Sequence, residues 1–204
     1  YVDRLYAASG AADCGQMDQM YASVVAESAT DLEKLGSIMK LYRRLGCTES
    51  DVYFAAAENA HKLQPTAESA AGCAQMCIKK EDYVGAVDYY KQALSMVDND
   101  EDKADYLYRM ANVYVAMKNY QQGAAIAQQA LDVNAEDGRC YLLLGICYAS
   151  AKIYDDPILA RSVFWVACDM FLKAYLLIGS TDNGSVNIIH VKLFHAQKLF
   201  AQGN

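Results

Sequence analysis

The residues best suited to chemistry in this sequence are its cysteines and histidines. Cys73 and Cys77 lie four positions apart, so on a helix they would share one face. Thiolates bind zinc well, but a structural zinc site takes four ligands, and no second pair at ligand spacing accompanies these two. His190 and His195 are five positions apart, a spacing that does not place them on one helix face. Together with His61, they are interpreted as ordinary surface or boundary histidines.

The short motifs that carry common enzyme chemistry are absent from the sequence. It has no Gly-rich phosphate loop, no His-Glu-x-x-His and no Gly-x-Ser-x-Gly. We therefore predict a protein that is not an enzyme, with no cofactor and no metal site.

Cys14 and Cys47 differ from the other cysteines because each is expected in a turn beside a helix end. If the intervening segments pack as hairpins, these turns could meet. A disulfide between them and two free thiols are both compatible with the sequence. A disulfide would contribute about 3–4 kcal/mol by closing the loop and would indicate an oxidising compartment. The total of seven cysteines is odd, which argues against a full disulfide framework.

Composition excludes several classes of partner. The chain of 204 residues is 54% hydrophobic, yet no apolar run approaches the roughly 18 residues that span a bilayer. We expect no direct membrane insertion. The net charge of −7 disfavours a nucleic-acid partner, because phosphate binding needs a basic face. The sequence begins at Tyr1 without Met, so we expect a processed or trimmed product, with any targeting segment outside it.

The elements that position these residues follow a repeated pattern of small and aromatic residues. The pattern occurs as Tyr83-x-x-Ala86-x-x-x-Tyr90-x-x-Ala93-Leu94, as Tyr120-x-x-Gly123-x-x-x-Ala127-x-x-Ala130-Leu131, and as Ala167-x-x-x-Phe171-x-x-Ala174-Tyr175. A second pattern precedes it as Cys73-Ala74-x-x-Cys77, Met110-Ala111-x-x-Tyr114 and Leu144-Gly145-x-x-Tyr148. The spacing is typical of amphipathic helices, with small residues where two helices must touch. Cys73 and Cys77 then need no role beyond packing.

This pattern resembles the tetratricopeptide repeat (TPR) family, whose unit of about 34 residues is a helix-turn-helix. The resemblance covers about Asp31 to Tyr175 and is strongest from Ala67 to Leu131. It implies an all-α fold, a TPR-type right-handed superhelix of antiparallel helix hairpins with a C-terminal capping helix. The chain also looks similar to bacterial envelope-type TPR proteins. We therefore expect a periplasmic or cell-envelope location, with a cytoplasmic adaptor as the alternative.

We expect one TPR-like α-solenoid domain over residues 1–204. It would comprise atypical N-terminal helices at 1–29, a degenerate repeat at 30–65, three clear repeats at 66–178 and a capping helix at 185–202. In that last segment one apolar face would cover the final repeat, through Ile189, Leu193, Ala196 and Phe200.

Local signals place two helix starts within this plan. Thr30-x-x-Glu33 predicts a capping box that opens the degenerate repeat. The final repeat holds an insertion of about ten residues before Ala167. Asp156 and Pro157 predict the start of an unusually long helix, which would run to Ile178.

The resemblance also implies where a partner binds. In the family, the first helix of each repeat lines a concave groove. The matching positions here give the groove candidates Gln75, Lys79, Asp105, Tyr108, Asn112, Arg139, Leu142 and Ile146. Some TPR domains hold C-terminal carboxylates in a Lys/Asn/Arg clamp, but only Asn112 stands at such a position, so we do not predict chaperone-tail binding.

The function that the resemblance implies is a non-catalytic scaffold or adaptor that binds a protein or peptide partner. Two alternatives stay open. One is a structural module of a larger bacterial envelope or secretion assembly. The other is a protein with a small-ligand pocket near the long 157–178 helix.

Overall fold

A computed structural model describes residues 13–150 and 157–178 of the chain. Every regular element within these ranges is an α-helix. The helices are α1 (Cys14–Glu27), α2 (Leu32–Arg44), α3 (Asp51–Leu63), α4 (Ala67–Lys79), α5 (Tyr83–Met96), α6 (Asp100–Ala116), α7 (Tyr120–Val133), α8 (Gly138–Ser150) and α9 (Pro157–Ile178).

The chain divides into two compact units, Tyr1–Val97 and Asp98–Asn204. In the first unit, α2 packs on α3, α3 on α4, and α4 on α5, while α1 lies against α3. In the second unit, α6 pairs with α7 and α8 with α9, and α8 also contacts α6 and α7. The short turns of the α2–α3, α4–α5 and α6–α7 pairs make these hairpins antiparallel.

The repeated small residues lie where the helices of each hairpin touch. Ala86, Tyr90 and Ala93 of α5 are fully buried. Their counterparts at the matching positions of the second unit are also buried, namely Gly123, Ala127, Ala130, Leu131, Ala167, Phe171 and Ala174. The burial of these predicted packing positions is therefore confirmed in both units. Of the same pattern, Tyr83, Leu94 and Tyr120 are only half-buried, and Tyr175 is exposed, so its predicted packing role is wrong.

The helical cysteines are mostly core residues, as the pattern indicates. Cys73, Cys77 and Cys147 are buried, whereas Cys168 is only half-buried. Cys168 lies on α9, most of whose described side chains are exposed or half-buried. Burial raises the pKa of the Cys73 thiol to about 12, and the neighbouring Cys77 adds to the effect. A thiol held protonated in this way is a poor nucleophile and a poor metal ligand.

Helix α2 begins one residue later than the sequence signal indicates. Its N-cap is Asp31, whose carboxylate accepts a hydrogen bond from the Lys34 amide at 3.0 Å. The predicted cap at Thr30 is wrong, because an N-cap side chain must reach an amide in the first turn and Leu32 opens this helix. The long helix α9 does run from Pro157 to Ile178, as predicted.

A left-handed residue follows the first helix of three hairpins. Gly46, Glu81 and Lys118 have φ angles of 72°, 61° and 59°. Gly46 and Glu81 each lie 14 positions after the first residue of α2 or α4 (residues 32 and 46, 67 and 81). The shared turn shows that the degenerate hairpin α2–α3 keeps the register of its neighbour.

Several expectations concern residues outside those that the structure describes. These are the N-terminal segment before residue 13, Asp156, the histidines His190 and His195, and the capping helix at 185–202. Among the described residues, no helix is both long and apolar enough to cross a membrane.

Candidate protein-binding surface

The first helices of two successive hairpins lie next to each other in the second unit. Their clearest link is an ion pair in which Arg139 Nη1 of α8 lies 3.3 Å from Asp105 Oδ1 of α6. The two residues are 34 positions apart, the length of one repeat. We define the α6/α8 surface as the six candidates that these helices carry, Asp105, Tyr108, Asn112, Arg139, Leu142 and Ile146.

Arg139 is held on this surface by a nearly buried acid. The side chain of Asp137 is only 6% exposed, and Oδ2 of Asp137 accepts a hydrogen bond from Arg139 Nη2 at 2.7 Å. Asp137 Oδ1 accepts two more bonds, from Arg139 Nε and from the Arg139 amide, each at 3.0 Å. Burial opposes ionisation of Asp137, but the bonds to Arg139 outweigh it and lower the pKa of that carboxyl. The same side-chain bond raises the pKa of Arg139.

The guanidinium of Arg139 also covers an aromatic ring. Its Cζ atom lies 4.5 Å from the ring centre of Tyr108 on α6. An arginine over a ring face gains a cation–π interaction and loses side-chain freedom. Arg139 is half exposed despite these partners, so a fixed cation faces solvent at this point.

The remaining members of the α6/α8 surface are less tightly held. Asp105 also pairs with Arg109 on its own helix, at 2.6 Å. Asn112 Nδ2 donates to the Tyr108 carbonyl at 3.0 Å, which turns the amide along its helix. Among the described residues, Asn112 Oδ1 accepts no hydrogen bond. Leu142 and Ile146 are half-buried, so the surface combines a charged end with an apolar end.

The other two groove candidates belong to the first unit. Gln75 is half-buried on α4. Lys79 is exposed, and its ammonium pairs with Asp51 at 2.7 Å while it lies 5.4 Å from the ring centre of Phe54. Both partners are on α3, so Lys79 ties α4 to the preceding helix.

Sequence reasoning missed Asp137, the residue that organises the charged end of the α6/α8 surface. Its signal was present, since an acid stands directly before Gly138, where α8 begins. An aspartate at that place caps the helix through its side chain, as the bond from the Arg139 amide shows.

The first unit contains a disulfide between Cys14 and Cys47, with the sulfur atoms 2.06 Å apart and the Cα atoms 5.5 Å apart. It joins the start of α1 to the turn after α2. Asp18 of α1 reinforces the joint, because its carboxylate accepts hydrogen bonds from Tyr42 Oη, at 3.1 Å, and from Ser50 Oγ. Burial, followed by the charge of Asp18, raises the pKa of Tyr42. The atypical N-terminal helix is thus bonded to the first hairpin.

Helix α9 exposes large apolar side chains. Trp165 is 57% and Leu176 is 70% exposed, and Leu172 lies between them on the same helix. Positions 165, 172 and 176 share one helix face. The opposite face packs on α8, where Phe171 fits against Gly145, a position at which a Cβ would meet the ring. No cluster of His, Cys, Asp and Glu able to hold a metal ion occurs in the part of the chain that the structure describes.

Solved structures share this arrangement of helices. The crystal structure of MamA superposes with a TM-score of 0.59 and 18% sequence identity, over 78% of this chain and 87% of MamA. YrrB, described as a TPR protein with an unusual peptide-binding site, superposes with a TM-score of 0.54 and 20% identity, over 90% of this chain and 98% of YrrB. No family model and no curated protein matches the sequence.

These likenesses show that the chain has the TPR fold. The prediction of an all-α, TPR-type architecture built from helix hairpins is therefore confirmed.

Proposed function

We propose that this protein is a non-catalytic scaffold or adaptor that binds a protein or peptide through the first helices of its hairpins. The observation that carries the proposal is the ion pair between Asp105 and Arg139. It joins the first helices of neighbouring repeats, so that side chains from both form one surface. The peptide-binding site of YrrB, a protein with the same fold, supports this type of role.

The chemistry of the α6/α8 surface suits a peptide in an extended conformation. The cation of Arg139 and the ring of Tyr108 are already ordered against each other, which lowers the entropic cost of binding. Asn112 retains an amide oxygen that can accept a hydrogen bond from a peptide N–H. Leu142 and Ile146 add apolar area beside these polar groups.

The disulfide between Cys14 and Cys47 supports a location in an oxidising compartment, such as the periplasm or cell envelope. In a reducing cytosol such a bond would be difficult to maintain.

Affinity capture from the source cell, followed by competition with surface variants, tests the proposal. We expect Asn112→Ala and Leu142→Ala to release the captured partner while the far-ultraviolet circular dichroism spectrum stays unchanged. Gln121→Ala is the matched control, because Gln121 is an exposed amide on α7, the second helix of its hairpin. Equal capture by all three variants would remove the α6/α8 surface as the binding site.

A further inference from the structure

Three cations and one carboxylate of the first unit surround a surface cavity of about 300 Å³. Lys40, Arg43 and Arg44 come from the last two turns of α2, and Glu68 comes from the first turn of α4. All three cationic residues are exposed. We call this group the α2 cationic cavity. It shares no residue with the α6/α8 surface.

One wall of the cavity contains an ion pair. Arg43 Nη1 lies 3.6 Å from Glu68 Oε1, and the two side chains are 37% and 20% exposed. This pair joins α2 to α4, the first helices of successive hairpins in the first unit. No ion pair between described residues involves Lys40 or Arg44. Two long cations therefore remain available at the rim.

The charge of the cavity specifies its ligand. Among the described residues that line it, three cations and one carboxylate leave a formal charge of +2, on a chain whose net charge is −7. Two carboxylates would neutralise it. Arg44 can bind a carboxylate through two parallel hydrogen bonds, and Lys40 can bind another as a point charge.

The register of the hairpins aligns these cations with groove positions of the next hairpin. The left-handed residues Gly46 and Glu81 are 35 positions apart, as are the first residues of α2 and α4, Leu32 and Ala67. The same shift carries the three cations onto the positions of Gln75, Ile78 and Lys79. The α2 cationic cavity thus continues the row of first-helix residues within the first unit.

We propose that the α2 cationic cavity binds an acidic segment of a protein partner, with two Asp or Glu side chains paired by Lys40 and Arg44. The proposal rests on the proposed function and names the chemistry of the partner. A peptide suits the cavity better than a nucleic acid, because a chain with a net charge of −7 repels a long polyanion. Three cations also make only a weak anchor on an anionic membrane surface.

The test measures binding of short fluorescein-labelled peptides to the full chain by fluorescence anisotropy. One peptide holds two adjacent Asp-Glu pairs, and its counterpart holds Asn and Gln at those places. We expect the acidic peptide to bind at least about 10-fold more tightly. Its affinity should fall between about 50 and 200 mM salt, because the paired charges are exposed.

Single substitutions then locate the site. Arg44→Glu and Lys40→Glu should each weaken the acidic peptide about 10-fold or more. Lys34→Glu is the matched control, because it makes the same charge change on another face of α2 and should alter affinity less than about twofold. Glu68→Gln removes the competing carboxylate, so we expect affinity to rise about threefold. Thermal unfolding of each variant confirms that it is folded.

Several results would overturn the inference. Equal binding of the acidic peptide and its amide counterpart, or equal losses from Arg44→Glu and Lys34→Glu, would overturn the inference. So would competition by inorganic phosphate at the same concentrations, or stronger binding to vesicles containing phosphatidylserine than to the peptide. A partner whose capture depends on Asn112 and ignores Arg44 would also overturn it, while leaving the proposed function in place. If Asn112→Ala and Arg44→Glu both leave that capture unchanged, both proposals fail.

Discussion

Arg139 reaches back to Asp105, 34 residues earlier, and pairs with it at 3.3 Å. The contact joins equivalent positions of two successive repeats, because the separation of the two residues in sequence equals the length of one repeat. Asp137 stabilises the contact, since its carboxylate accepts two hydrogen bonds from the Arg139 guanidinium at the start of α8. A half-exposed pair alone is worth little, typically below about 1 kcal/mol. The nearly buried acid is what gives this arrangement its stability.

The first prediction concerns Asp137 and pH. Asp137→Asn should lower the free energy of unfolding by about 1–3 kcal/mol at pH 7, because it removes charge-assisted bonds to Arg139. The folded pKa of Asp137 lies below its usual value. Its contribution is therefore complete above the unfolded pKa of about 4 and disappears as the pH falls through the lower, folded pKa.

Urea unfolding at pH 7, 5 and 3 checks this prediction. The difference between the parent and Asp137→Asn should be the same at pH 7 and 5 and should shrink towards pH 3. Glu136→Gln provides the control, since it removes an exposed carboxylate one residue away. A difference that persists undiminished at pH 3 would show that the loss does not come from the charge of the Asp137 carboxylate.

The second prediction concerns the disulfide. The Cys14–Cys47 bond closes a loop with a sequence separation of 33. Replacing both cysteines by Ser should lower the free energy of unfolding by about 3–4 kcal/mol, because the unfolded chain regains the freedom that the cross-link removes. Denaturant unfolding of parent and variant, with and without reductant, measures the loss.

Reductant should destabilise the parent and leave the double Ser variant unchanged. Cys168→Ser is the control, since it removes a free, half-buried thiol. The disulfide would have no stabilising role if the parent unfolds at the same denaturant concentration in both conditions.

Much of this fold is predictable because the packing between paired helices is local. Ala86, Tyr90 and Ala93 recur at fixed spacing, and that spacing alone identifies the buried face of α5. The length of α9 follows from Pro157 and the displaced Ala167 for the same reason. Neither inference needs a contact between distant parts of the chain.

The features that escaped prediction depend on contacts between repeats. The sequence left the pairing of Cys14 and Cys47 open, since it depends on where three helix ends meet. The cluster around Lys40 was missed because the early positions of its degenerate repeat do not align by residue type. The backbone turn at Gly46 provides that alignment, because Gly46 and Glu81 are both left-handed although their side chains differ.

The third prediction concerns close packing in α5. Ala93 is fully buried, and its neighbour Gln92 is exposed on the same helix. Ala93→Leu should lower stability by about 1–3 kcal/mol, because three extra carbons must enter a filled contact. Gln92→Leu adds a leucine at the exposed position and should change stability by less than about 0.5 kcal/mol. Equal melting temperatures for the two variants would reject the packing assigned to α5.

The fourth prediction concerns the left-handed residues. Glu81 and Lys118 adopt φ angles of 61° and 59°, where a side chain costs about 1–2 kcal/mol relative to glycine. Both residues are exposed, so a glycine there loses little packing. Glu81→Gly and Lys118→Gly should therefore each raise the free energy of unfolding by about 0.5–1 kcal/mol, after the added flexibility of the unfolded chain is subtracted.

Gly46 allows the reverse substitution, in which a left-handed glycine is replaced by a residue with a side chain. Its φ is 72°, and no described atom lies within 4 Å of the place where a Cβ would stand. Gly46→Ala should therefore destabilise by about 1 kcal/mol through the backbone alone. Lys80→Gly is the control, because Lys80 has a φ of −87° and gains no relief. If Glu81→Gly destabilises as much as Lys80→Gly, residue 81 is not left-handed in solution. The common turn would then no longer support the register that aligns Lys40 and Arg44 with Gln75 and Lys79.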